Sequence, residues 1–172
     1  MRKLLFQSLV QMPLTEPAPS VDDGALAEVG AALQLAARRR LGRSLSIREV
    51  DAGSCNGCEL EIHALNNAYY NIEGLGIRFV ASPRHADLLL VTGPVSRNME
   101  LALTRTYEAT PAPKLVVAVG DCGCGSGIFG TGYATCGAVA DVLPVDVAVP
   151  GCPPPPIEIV KGLLALIEAR AG

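Results

Sequence analysis

The segment Ser44-Leu45-Ser46-Ile47-Arg48-Glu49-Val50-Asp51-Ala52-Gly53-Ser54-Cys55-Asn56-Gly57-Cys58-Glu59 decides the fold. Its first half, residues 44–50, is a short run with β-branched residues and reads as a strand. Its second half is an Asn-Gly turn with a cysteine on either side, and an amphipathic stretch begins near Glu59. A tight turn aims both sulfurs the same way, so Cys55 and Cys58 suit one metal centre. Two more cysteines, Cys122 and Cys152, each follow an apolar strand-like run and sit beside a glycine.

Outward from this segment the chain keeps a rhythm of strand and then helix. Strands are expected over residues 77–81, 87–92, 114–120 and 145–149, and helices over 59–71, 98–109, 135–142 and 157–170. Short apolar strands alternating with helices indicate an α/β fold, a parallel sheet covered on both faces. Ligands of such sheets bind outside the carboxyl ends of the strands. Cys55, Cys122 and Cys152 all fall just after expected strands, which is that edge.

Before residue 44 the reading changes. Residues 1–21 are a short amphipathic piece and a proline-rich connector from Pro13 to Pro19. Asp22 and Asp23 supply a helix N-cap and first-turn acid, and a helix is expected from about Gly24 to Leu41. Arg38-Arg39-Arg40 fall in its last turn, where cations complement the helix dipole; contact with anionic lipid or an acidic partner is the sharper reading. The chain therefore divides into an N-terminal extension with an amphipathic helix, 1–43, and a domain over 44–172.

Composition narrows the functional classes. Charged residues make up 18% of 172 residues and mean hydropathy is +0.34, so some apolar surface is expected to face partner subunits. A net charge of −3, no Trp, three Phe and four Tyr argue against nucleic-acid binding. No run reaches the roughly 18 apolar residues of a membrane span. Gln7, Ser8 and Gln11 interrupt the first apolar stretch, so no export signal is expected either. In a reducing compartment six cysteines read as metal ligands before disulfides.

Tetrahedral sulfur sites hold zinc or iron–sulfur clusters. Structural zinc usually draws its ligands from two local pairs, whereas here Cys122 and Cys152 arrive singly from distant strands. A cubane cluster is larger and takes ligands from several loops, so spacing favours a cluster, with a structural zinc module as the alternative. The run Gly120 to Gly130 contains a formal G-x-G-x-x-G at Gly125, Gly127 and Gly130. No clean helix opens there. The loop reads better as backbone stripped of side chains so that N–H groups reach sulfur.

Cys124 and Cys136 exceed a four-ligand set and read as small buried hydrophobes. Gly151-Cys152-Pro153-Pro154-Pro155-Pro156 sets a thiol on a stiff segment that leads into the last helix. First-turn placement against the helix dipole accounts for Glu59, while Glu61 is a candidate for proton-coupled redox chemistry. His63 and His85 stand alone, and nothing resembles a hydrolase triad.

Four segments together carry a family resemblance: Cys55 to Glu61, Pro83 to Leu88 with Thr92-Gly93-Pro94-Val95, Gly120-Asp121-Cys122, and Pro144 to Pro154. Over residues 44–168 the chain resembles the small cluster-bearing subunit, of the 20 kDa type, shared by respiratory complex I and membrane-bound nickel–iron hydrogenases. The resemblance implies a flavodoxin-like fold with one 4Fe–4S cluster on Cys55, Cys58, Cys122 and Cys152 at the carboxyl ends of the strands. It implies a peripheral place on the cytoplasmic side of the membrane. The partners it implies are a large subunit, a ferredoxin-like iron–sulfur subunit and membrane-arm subunits. Glu61 falls where complex I members have a glutamate near the cluster. Complex I members carry two adjacent cysteines, whereas Cys55-Asn56-Gly57-Cys58 has the hydrogenase-like spacing. With that spacing the chain resembles energy-converting hydrogenases and formate hydrogenlyases, which implies electron transfer to a nickel–iron site. A complex I type subunit serving quinone reduction is the alternative.

Overall fold

The computed structural model describes residues 23–125 and 127–169. The proline-rich connector, the interrupted N-terminal stretch and Asp22 lie outside those residues. Among the described residues twelve regular elements follow one another: α1 (Asp23–Leu41), β1 (Leu45–Asp51), α2 (Gly57–Ala64), β2 (Ile77–Phe79), β3 (Leu88–Thr92), β4 (Val95–Ser96), α3 (Arg97–Ala109), β5 (Leu115–Val119), α4 (Gly120–Cys124), β6 (Thr135–Gly137), β7 (Val147–Val149) and α5 (Pro156–Ala169).

Five strands form one sheet in the order β2-β1-β3-β5-β7. Every pairing in it is parallel. This is the flavodoxin-like strand order, with its reversal between β1 and β3. The two central strands carry no polar alternation: all five residues of β3 and all five of β5 are buried. Burial on both faces explains why these segments are continuous apolar runs.

The pleat sends successive side chains to opposite layers. Leu88, Leu90, Val117 and Val119 pack on one side with Ile62 of α2 and Ile159 and Leu163 of α5. Leu33 and Ala37 of α1, both almost wholly buried, belong to that same layer. Helix α1 is thus held by apolar contact to the sheet domain. Leu89, Val91, Val116 and Ala118 face the other way, onto Leu103 of α3 and onto Val139 and Leu143. Arg38 and Arg39 end α1 on the solvent side.

Two expected helices take another form. Residues 59–71 do not make one long helix, because α2 ends at Ala64. The side chain of Asn67 accepts the backbone N–H groups of Tyr69 and Tyr70 at 2.8 and 2.9 Å, an alternative that competes with helix propagation. Residues 135–142 are a three-residue strand, β6, paired antiparallel with β4, and then a 3-10 turn over Val139–Asp141. Gly137, with φ +110°, interrupts any helix there.

Candidate metal centre

Four cysteines reach one edge of the sheet by three routes. After β1, Asp51 Oδ1 accepts the N–H groups of Gly53 and Ser54, both at 2.8 Å, and this turns the chain sharply off the strand. Asn56 then takes a left-handed conformation, φ 72°, and α2 begins at Gly57 with Cys58 in its first turn. After β5 the chain enters the one-turn helix α4, which carries Cys122. After β7 it passes directly to Gly151 and Cys152.

Glycines let these routes converge. Gly120 has φ +84°, and a Cβ on it would lie 2.5 Å from the Cys58 sulfur. A Cβ on Gly127 would lie 2.5 Å from the Cys122 sulfur. Both sulfurs therefore rest against bare backbone. The Phe129 backbone N–H bonds to Cys122 and draws its proton affinity down, against a net rise. This is the N–H to sulfur contact expected of the glycine-rich loop. No helix opens at Gly125 to Gly130, so the dinucleotide fingerprint has no structural counterpart among the described residues.

Electrostatics separates the cysteines into two sets. Burial, then Glu59, then Cys55, Cys122 and Cys152 push the Cys58 thiol up to about 12. Burial also raises Cys122, followed by Cys152 and Cys55. Cys58 and Cys122 are thus each raised in part by Cys55 and Cys152, as residues converging on one edge of the sheet would be. Cys124 is raised by burial and Asp121, and Cys136 by burial and Glu100, whose carboxylate its thiol contacts at 3.3 Å. Both pack against the second core layer. Cys55 and Cys152 are exposed, while Cys58 and Cys122 are half-buried.

Like-charged thiolates gathered without a cation repel one another, and a metal centre removes that cost. Four thiols on converging loops, two against bare backbone, suit an iron–sulfur cluster. Among the described residues no three His, Cys, Asp or Glu side chains are gathered closely enough to hold one metal ion. Ligands of a cubane, each meeting a different iron, stand further apart than ligands of a single ion.

Glu61 is half-buried on α2. Glu59 is the carboxylate that bears on the site: it is 6% exposed, and it is the strongest charge acting on Cys58. Placement at a helix end does not account for that burial. The signal in the sequence is the serine five residues earlier, since Ser54 Oγ donates to Glu59 Oε2 at 2.5 Å.

The profile of the family described as "NADH ubiquinone oxidoreductase, 20 Kd subunit" matches residues 55–166. The chain is 44% identical over 131 residues to the probable membrane-bound hydrogenase subunit mbhJ of Pyrococcus furiosus, covering 76% of this chain and 78% of that one. It is 40% identical to formate hydrogenlyase subunit 7 of Escherichia coli over 90% of its own length and 60% of that protein's. It is 42% identical to a subunit of the NADH-quinone oxidoreductase of Desulfovibrio desulfuricans, over 74% of this chain and 68% of the other. Among solved structures, a chain of the archaeal membrane-bound sulfane sulfur reductase superposes with a TM-score of 0.65 at 34% identity, covering 80% of this chain and 74% of that one. No helix among the described residues is long and apolar enough to cross a membrane. The chain belongs to the 20 kDa NADH ubiquinone oxidoreductase subunit family, whose members here are subunits of oxidoreductase complexes.

Proposed function

We propose that this chain is an electron-transfer subunit whose Cys55, Cys58, Cys122 and Cys152 hold one 4Fe–4S cluster. The observation that carries the reading is the convergence of those four residues on the carboxyl ends of β1, β5 and β7, with the Cys58 and Cys122 sulfurs against bare glycine backbone. When bound, the cluster stores and passes single electrons. The chain's own part is to deliver four thiolates, screen their inner side with the sheet edge and donate the Phe129 backbone N–H to the Cys122 sulfur. Turnover, in this reading, belongs to the assembled complex.

The complex we propose is a membrane-associated hydrogenase of the energy-converting or formate hydrogenlyase type. Electrons pass between a ferredoxin-like subunit and the nickel–iron site of a large subunit, with this chain held peripherally against membrane-arm subunits. The two-residue separation of Cys55 and Cys58 and the likeness to mbhJ and formate hydrogenlyase subunit 7 support it. The likeness to the NADH-quinone oxidoreductase subunit supports a second reading, electron delivery to quinone.

Anaerobic purification with the partner subunits tests both levels. Broad visible absorption, an EPR signal on reduction and four irons per chain are expected. A colourless protein loaded with zinc would sink the cluster. Cys152→Ala should abolish the signal and Cys136→Ala should keep it; the reverse would overturn the ligand set. Nickel in the co-purified complex supports the hydrogenase reading, and its absence together with quinone reductase activity supports the second.

A further inference from the structure

Glu59 is 6% exposed, yet only one of its carboxylate oxygens is engaged. Oε2 accepts from Ser54 Oγ at 2.5 Å, and the same hydroxyl oxygen accepts the Asn56 N–H at 3.0 Å. Oε1 is buried with no hydrogen-bond partner among the described residues. An acid placed only to complement the helix dipole would stay in water, because burying a charge with a single partner is costly. The bond that Glu59 does accept runs backward, away from its own helix, to Ser54, and the Ser54 hydroxyl in turn accepts the Asn56 N–H on the far side of Cys55.

We infer that Glu59 is a positioning residue for the cluster: it clamps the arm carrying Cys55 through Ser54. The inference rests on the cluster reading above. The clamp is needed because the arm has little else to hold it. Beyond the Asp51 turn, Cys55 and Asn56 are exposed, and Asn56 adopts the left-handed conformation. A serine bridging a buried acid to the amide after Cys55 fixes the sulfur on one side, while α2 fixes Cys58 on the other.

Iron release to a chelator, followed by visible absorption and EPR on the anaerobic complex containing the full chain, tests the inference. Glu59→Gln retains an acceptor for Ser54, so the cluster should load and hold its iron as wild type does. Glu59→Ala removes the acceptor, so iron should leave several-fold faster from a folded chain. Ser54→Ala frees the arm from the other side and should speed iron loss to a similar extent. Wild-type rates in both alanine variants, or a glutamine variant as fast as the alanine one, would overturn the clamp. A wild-type protein without iron and sulfide would sink the cluster reading itself, before any variant is measured.

Discussion

Asp121 and Gly151 bond to each other in both directions. The Asp121 N–H donates to the Gly151 carbonyl at 2.8 Å, and the Gly151 N–H donates to Asp121 Oδ1 at 2.7 Å. The pair ties the loop of Cys122 to the loop of Cys152, one residue from each thiol. Asp121→Ala leaves the Gly151 amide without its acceptor, a loss worth about 1–3 kcal/mol. Urea unfolding should show a lower midpoint, and iron content should fall. A variant with wild-type iron content and midpoint would show that the two loops are held elsewhere.

Glycine substitutions should discriminate sharply along one loop. Gly120→Ala and Gly127→Ala each drive a Cβ to 2.5 Å from a sulfur, and Gly120 also has φ +84°. Each should cost about 1–3 kcal/mol and displace a thiol. Gly130→Ala meets nothing within 4 Å and should be silent. Visible absorption of the three variants, purified side by side, reads the difference.

The raised Cys58 thiol predicts a pH dependence of the cluster-free chain. Burial first, and Glu59 and the other thiols after it, push it up to about 12 from 9.0. A folded-state value above the unfolded one means that the proton is held more tightly in the fold. The resulting stabilisation is complete below pH 9.0 and is lost as pH rises toward about 12. Iodoacetamide mapping at pH 8 should label Cys55 and Cys152 first and Cys58 last. Denaturation midpoints should fall as pH rises from 9.0 toward about 12; a flat profile would contradict the environment described for Cys58.

Helix α1 is part of the packed body, and a single side chain can show it. Leu33 is fully buried among residues of α5 and the sheet. Leu33→Ala should cost about 2–5 kcal/mol, as buried leucines do. Leu35→Ala, at a position 49% exposed on the same helix, should cost far less. Equal thermal shifts for the two would place α1 off the core.

Much of this architecture is legible in the sequence because its strongest elements obey one rule each. β3 and β5 are apolar throughout, as doubly covered strands must be, and the cysteines follow strands at the edge where parallel sheets bind ligands. Long-range pairing is not legible in the same way. β4 and β6 are too short to carry a period, and they become strands only by meeting each other. The end of α2 depends on the Asn67 side chain, whose choice between solvent and backbone is local geometry. The place of Glu59 in its helix is plain from the sequence, whereas its burial depends on Ser54 folding back over it. Side-chain partners across a turn are what one-dimensional patterns conceal.

The parallel strand order has a consequence for biogenesis. β7, which delivers Cys152, is the last strand among the described residues and an outer strand of the sheet. The full thiol set therefore exists only once that strand has docked beside β5. For the proposed cluster, iron loading then reports complete folding, because a chain in which β7 has not docked offers at most three of the four thiols.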